Sequence, residues 1–215
     1  MKLNEYSSIF WDFGGVITSS PFEAFNKFEI KNNLPENFLR KVNSTNPQSN
    51  AWALLEQSKI TQMEFNELFF QESSDLGYGV DGLEVLNLLE GDLRLGMVEI
   101  IKTLKKKGFT QACLTNNFIP DNDNQPDMID LNKKTEIFNL FDFMFESKEI
   151  GLRKPDQAFY DYVLEKVDTS PEKIIFLDDL GINLKPAKAM GITTIKVISE
   201  SQAKADLENL LKIKF

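Results

Sequence analysis

The stretch Ser8-Ile9-Phe10-Trp11-Asp12-Phe13-Gly14-Gly15-Val16-Ile17 decides how the rest of the chain is read. Residues 6–12 read as a strand, short and apolar enough to be buried on both faces. A carboxylate at the exit of such a strand is poised to meet a ligand, because open α/β sheets bind ligands just beyond the carboxyl ends of their strands. The two glycines that follow let backbone N–H groups approach that ligand with no Cβ in the way. A plain strand end with a Gly-Gly turn has the same local signature, so the segment needs support from elsewhere.

From about 20 to 91 the pattern is helical, with no convincing strand. Phe22, Phe25, Phe28 and Ile30 recur at helical spacing, Phe38, Leu39 and Val42 follow Pro35, and Trp52, Leu54 and Leu55 form a third stripe. Thr61 with Glu64 predicts a capping box ahead of Phe65, Leu68 and Phe69. Residues 73–79 read as a loop, and Leu83, Leu86, Leu88 and Leu89 as another helix.

Beyond this block, strands and helices alternate. A helix from Val98 to Leu104 is closed by Lys105-Lys106-Lys107-Gly108. Strands are predicted at 110–114, 141–145, 174–177 and 192–198. Helices are predicted at 129–140, from Pro155 at the first helical position through Lys166, from Ile182 to Met190, and at 201–212; residues 116–127 form a long loop. Alternation of this kind implies an α/β fold, a doubly wound parallel sheet with helices on both faces. The expected division is a core of residues 1–19 and 92–215 with an inserted α-helical cap of residues 20–91.

At 215 residues, 42% apolar and 27% charged, the chain has the make-up of a globular protein rather than a disordered one. Its 24 basic against 33 acidic residues leave a net charge of −9, which argues against nucleic acid or an anionic membrane as partner. An anionic substrate must then be drawn by a local cation or by backbone dipoles. Histidine is absent, which excludes Ser-His-Asp and Cys-His machinery and most catalytic zinc sites. The single cysteine, Cys113, lies in an apolar run and reads as a buried structural thiol. No stretch is long and apolar enough to span a bilayer, and Met-Lys-Leu-Asn-Glu contains no signal-peptide core, so a cytoplasmic protein is expected.

Four predicted strand ends carry polar groups: Asp12, Thr115-Asn116, the segment from Glu146 to Arg153-Lys154-Pro155, and Asp178-Asp179. In a parallel sheet all four share one edge, which then holds three carboxylates, a hydroxyl, an amide and an ammonium. Like charges gathered this closely call for a cation, and an all-oxygen donor set suits Mg²⁺. Taken singly, each piece has a plain alternative. Thr115-Asn116 is compatible with a turn, Lys154-Pro155 with a helix start, Asp178-Asp179 with helix N-caps and Asn183 with a surface helix position.

Taken together, the segments Phe10-Trp11-Asp12-Phe13-Gly14-Gly15-Val16, Leu114-Thr115-Asn116, Lys154-Pro155 and Phe176-Leu177-Asp178-Asp179 resemble the haloacid dehalogenase (HAD) superfamily, with its Rossmann-type core. The run from Phe176 to Ala187 is particularly similar to the N-terminal phosphatase domain of soluble epoxide hydrolases. The resemblance implies a phosphatase of a small phosphorylated metabolite, with Asp12 as nucleophile and an aspartyl-phosphate intermediate. It implies Mg²⁺ held by Asp12, the Gly14 carbonyl and Asp179, with Asp178 orienting a water or Lys154. Thr115, Asn116 and Lys154 would bind phosphoryl oxygens together with the Gly14-Gly15 turn, and Asn183 matches a supporting position. A monomer or weak homodimer is expected.

The chain departs from the family's pattern at Gly14, where most such phosphatases carry a second Asp that protonates the leaving oxygen. General acid–base help is worth roughly 10²–10⁴ in rate. Three outcomes follow: hydrolysis restricted to good leaving groups, substitution by a cap carboxylate such as Glu23, or a phosphate- and Mg²⁺-binding protein with little turnover. Haloacid dehalogenation is less well supported. Those enzymes carry Tyr where Gly14 stands and use an Arg for which Arg40 is the only candidate in the cap region.

Overall fold

The computed structural model describes residues 5–89, 91–117 and 131–215, without the side chains of residues 23 and 131–134. Five strands, Ser8–Trp11 (β1), Thr110–Thr115 (β2), Phe143–Glu146 (β3), Ile174–Asp178 (β4) and Thr193–Lys196 (β5), form one sheet in the order β3-β2-β1-β4-β5. Every pairing is parallel. Trp11 is level with Cys113 on one side and with Leu177 on the other. Asp12 therefore leaves the sheet beside Asp178, one residue short of the level of Thr115. The chain builds outward from β1 through β2 to β3, then returns to the other side of β1 for β4. That reversal places the topological switch point between β1 and β4, where doubly wound sheets open a ligand crevice.

Alternation along β1 feeds two cores. Ile9 and Trp11 face Met97, Ile101 and Leu104 of α6 (Leu95–Lys106) and Ala203 and Leu207 of α11 (Glu200–Leu211). Phe10 faces Phe159, Tyr160 and Val163 of α9 (Gln157–Val167) and Leu184 and Ala187 of α10 (Gly181–Ala189). Burial of each large apolar side chain here contributes roughly 1.5–3 kcal/mol relative to exposure.

A third cluster belongs to the helical block: α1 (Phe22–Lys31), α2 (Phe38–Ser44), α3 (Ala51–Glu56), α4 (Gln62–Asp75) and α5 (Gly82–Asn87). Its centre is aromatic, with Trp52 4.9 Å from Phe65 and Phe65 stacked 5.3 Å from Phe69. The α1–α2 corner is set by Glu29, a buried carboxylate that accepts from the N–H of Asn37 and of Leu39, both at 2.9 Å. Thr61 and Glu64 form the expected reciprocal cap. The two segments joining this block to the sheet run side by side: Thr18 bridges Leu93, and Ser19 N donates to Asp92 O at 2.8 Å.

The structure differs from the sequence reading at several boundaries. Residues 73–75 still belong to α4, where Ser73 Oγ accepts from Val80 N, so the loop starts at Leu76. Residues 141 and 142 precede β3; Asp142 instead exchanges bonds with Gln111 through its backbone N–H and its carboxylate. Pro155 is not at the first position of α9. Residues 153–156 first make a turn closed by Asp156 N on Arg153 O, and Asp156 is the N-cap. The expected helix over 129–140 is seen as α7 (Leu131–Phe138), while residues 129–130 and most of the expected 116–127 loop lie outside the described residues. Ser147–Ile150 adds a short helix, α8. Among the described residues no helix is long and apolar enough to cross a membrane.

Candidate active site

Asp12 is held at the end of β1 by its own N–H, which donates to Leu177 O at 2.8 Å, and its Oδ1 accepts from Phe13 N at 2.7 Å. Lys154 reaches the same carboxylate. Its Nζ lies 3.0 Å from Asp12 Oδ1 and 2.8 Å from Asp178 Oδ2, with the lysine only 1% exposed. The backbone under that lysine is clamped by the Asn116 amide: Lys154 N donates to Asn116 Oδ1, and Asn116 Nδ2 donates to Lys154 O, both at 2.9 Å. Asp178 is fully buried and takes further bonds from Leu180 N at 2.8 Å and from Asn183 Nδ2 at 3.1 and 3.2 Å. Asn183 is in turn fixed from below, its carbonyl accepting from the Tyr160 hydroxyl at 2.6 Å. Leu180, not Asp178 or Asp179, is the N-cap of α10, and Asn183 is buried rather than a surface residue.

Asp179 faces the same crevice, with Ser20 Oγ donating to its Oδ2 at 3.0 Å. Gly15 sits beneath it at φ +72°, and a Cβ there would fall 2.2 Å from Asp179 Oδ2. Only glycine satisfies both the left-handed backbone and that approach. Around Gly14 the opposite holds, since a Cβ would meet nothing within 4 Å. Arg94, the N-cap of α6, secures the turn by donating from Nη1 to Gly15 O at 2.7 Å.

The electrostatics follow from crowding. Burial, then the charge of Asp178, raises the Asp12 carboxyl well above the usual range, against the pull of Lys154. Burial opposes the charge on Lys154, but Asp12 and Asp178 outweigh it and its pKa is raised. Asp179 is pushed up to about 6, by burial first and the Asp178 charge second, with the Ser20 bond and Lys154 acting against the rise. One oxygen from each of Asp12, Asp178 and Asp179 lies within 4.8 Å of the others. Three carboxylates against one ammonium leave negative charge uncompensated, which is the setting in which an all-oxygen divalent-cation site forms. The residues present fit Mg²⁺.

This rim forms one wall of a cavity of about 1240 Å³. Asp12, Gly14, Thr115, Asn116, Lys154, Asp179 and Asn183 all line it. Phe22, Phe25, Trp52, Leu86 and Leu89 line it from the helical block. Phe25 and Trp52 thus serve both as packing core and as cavity wall. Tyr78 packs on Phe38 instead, 5.3 Å between ring centres. Arg40 also lines the cavity, its guanidinium 3.7 Å from the centre of the Phe22 ring. The Glu23 side chain lies outside the described residues.

Three residues at the rim have no forerunner in the sequence reading: Ser20, Glu56 and Arg94. Arg153 is named there only as part of the same short run as Lys154, without a role. Ser20, Glu56 and Arg94 carry no signal of spacing or composition, and only the folded chain brings them together.

Fold and rim together define a doubly wound α/β core of the Rossmann type, with its acidic residues and a buried lysine at the switch point beneath a helical cover. The chain belongs to the haloacid dehalogenase-like hydrolase family, whose model matches residues 6–191. It is 29% identical over 216 residues to bifunctional epoxide hydrolase 2 of Mus musculus, with 95% of this chain aligned. The aligned region spans 39% of that mouse protein's length. It is 31% identical over 166 residues to the sesquiterpene phosphatase astK of Aspergillus oryzae, covering 76% of this chain and 80% of that one. A HAD-family enzyme from Bacteroides thetaiotaomicron, crystallised with magnesium and inorganic phosphate, shares the fold at a TM-score of 0.56 and 19% identity, over 88% of this chain and 93% of that one. The superfamily resemblance read from the four sequence segments therefore holds, and the relatives include a phosphatase.

Proposed function

We propose that this protein is a Mg²⁺-dependent phosphatase of a small organic phosphate, working through an aspartyl-phosphate on Asp12. One observation carries the reading: Asp12 lies at the switch point, paired to a buried lysine and beside a second and third carboxylate, at the wall of a cavity large enough for an organic phosphate. The phosphatase among the relatives supports the same class.

In this reading the free oxygen of Asp12 attacks phosphorus, the P–O bond to the leaving group breaks, and the phosphoryl group is carried on the Asp12 carboxylate. Lys154 faces the reacting centre with its charge fixed by Asp178 and offsets the phosphoryl charge. The Thr115 hydroxyl, the Asn116 backbone N–H and the Gly14-Gly15 turn supply further donors. Asp12, the Gly14 carbonyl and Asp179 would hold Mg²⁺, which when bound supplies charge compensation for the phosphoryl oxygens. Water then cleaves the acyl phosphate and restores Asp12. The contribution of the protein is positioning and charge, as a loose phosphoryl-transfer transition state requires.

Gly14 offers no acid to the departing oxygen, so substrates with good leaving groups are favoured. Residues 20–91 act as a cap over the site, and their aromatic and aliphatic wall favours a substrate whose non-phosphate part is apolar. Gly14 also supports a second reading, a protein of the same fold that binds phosphate and Mg²⁺ with little turnover. A panel of phosphate esters assayed with Mg²⁺ beside an Asp12→Asn variant separates them. Phosphatase activity that falls at least about 10³-fold in the variant supports the enzyme. An unchanged rate removes Asp12 from the mechanism. Tight binding of phosphate or beryllofluoride without hydrolysis of any ester favours the binding protein.

A further inference from the structure

We infer that Glu56, at the end of α3, is a positioning residue through which the cap sets the anion-binding rim. Its Oε2 accepts from Arg153 Nη2 at 2.5 Å and from Asn116 Nδ2 at 3.1 Å. Arg153 and Asn116 are the two residues that flank and clamp Lys154. The Asn116 amide uses both ends: Oδ1 takes the Lys154 N–H, and Nδ2 is shared between Lys154 O and Glu56. An amide side chain can turn over and exchange its donor and acceptor ends. A second acceptor on the Nδ2 side fixes which end faces the Lys154 N–H, and that acceptor comes from the cap.

The same seam is closed at two further points. Arg153 Nη1 donates to Pro47 O at 3.1 Å, and Ser58 Oγ to Lys148 O at 3.3 Å. The Glu56–Arg153 pair is largely buried, with side chains 16% and 13% exposed. Burial raises the Glu56 carboxyl, and Arg153 with Asn116 holds it down in part. A carboxylate so placed is stable only while those donors face it. Trp52, one turn earlier on α3, lines the cavity. Contact between substrate and that helix is thereby passed to Asn116 and Lys154.

This inference rests on the reading that Lys154 and Asn116 receive the phosphoryl group, and the test separates the two. Glu56→Gln and Glu56→Met have similar size and both leave Arg153 without its counter-charge, but only glutamine retains an acceptor for Asn116. Inorganic phosphate has no organic body to touch the cap, so its affinity reports on the rim alone. Calorimetric titration of each full-length variant with phosphate in excess Mg²⁺, beside its thermal melting curve, is decisive. The expected result is phosphate binding about tenfold weaker in Glu56→Met than in Glu56→Gln, at similar melting temperatures. Equal phosphate affinities in the two variants, with the wild type binding phosphate, overturn the role of Glu56 alone. A wild type that binds no phosphate removes the phosphate-site reading and this inference with it.

Discussion

The sheet rim and the helical block bury their interiors in opposite currencies. At the rim, Asp12, Lys154, Asp178 and Asn183 are all buried polar groups, each held by named partners at hydrogen-bond distance. In the helical block, Trp52, Phe65 and Phe69 fill the centre with rings, and the buried carboxylate Glu29 serves a backbone corner. A charged cluster is stable only as a complete set, because removing one member strands the others in low dielectric. An aromatic core degrades by volume and is indifferent to proton concentration. The rim is thus specified by exact partners and the helical block by shape.

The contrast can be broken directly. Lys154→Met strands Asp12 and Asp178 and is expected to cost about 3–5 kcal/mol in denaturant unfolding. Phe65→Ala opens the cap core at a similar cost of about 3–5 kcal/mol. The two should part company on acidification. Protonation of Asp12, whose carboxyl burial already holds above the usual range, relieves the Lys154→Met defect in part, whereas the Phe65→Ala defect persists at low pH. Parallel pH profiles for the two variants would show that the rim and the helical block do not differ in this way.

A smaller effect is expected at the paired glycines. Gly14→Asp places a carboxyl where a Cβ meets nothing within 4 Å, and should raise turnover of unactivated alkyl phosphates by about 10²-fold. Gly15→Ala, one residue on, forces a Cβ against Asp179 and should lose Mg²⁺-dependent activity instead. A Gly14→Asp enzyme no faster than wild type on such esters would show that leaving-group protonation is not the bottleneck.

The smallest effect lies in metal linkage. Asp179 is pushed up to about 6 by burial and the Asp178 charge. An ordinary aspartate in the unfolded chain titrates at about 3.9. Between these values the folded state holds a proton that the unfolded state has released. The contribution of this group to stability is therefore present at low pH and is lost as pH rises toward 6. In the proposed site Mg²⁺ would bind the ionised form, so the rise in melting temperature on adding Mg²⁺ should grow across the same window and shrink in Asp179→Asn. A Mg²⁺ effect that is flat with pH, or unaltered by that substitution, removes Asp179 from the cation site.

The rim was largely legible because strand ends in a parallel sheet must converge, whatever lies between them. Asp12, Thr115 and Asp178 could each be placed from an apolar run and its last residue. The depth of Lys154 was not legible, since its burial depends on the turn at 153–156, which a helix beginning at Pro155 would not make. Glu56 and Ser20 lay beyond reach for a different reason. Their partners, Arg153 and Asp179, are about a hundred residues or more away, and nothing local to either marks it as facing the core. Helix periodicity located the cap stripes but could not tell which side of Trp52 was wall and which was filling.

The bridge between Thr18 and Leu93 means that the chain departs for the helical block and comes home at a single spot, with Ser19 and Asp92 already hydrogen-bonded. The sheet need not be rethreaded to accept a different excursion at that point. Any insert whose two ends lie one strand spacing apart would find the same doorway, so the sheet and its rim can stay as they are while the helical block is exchanged wholesale.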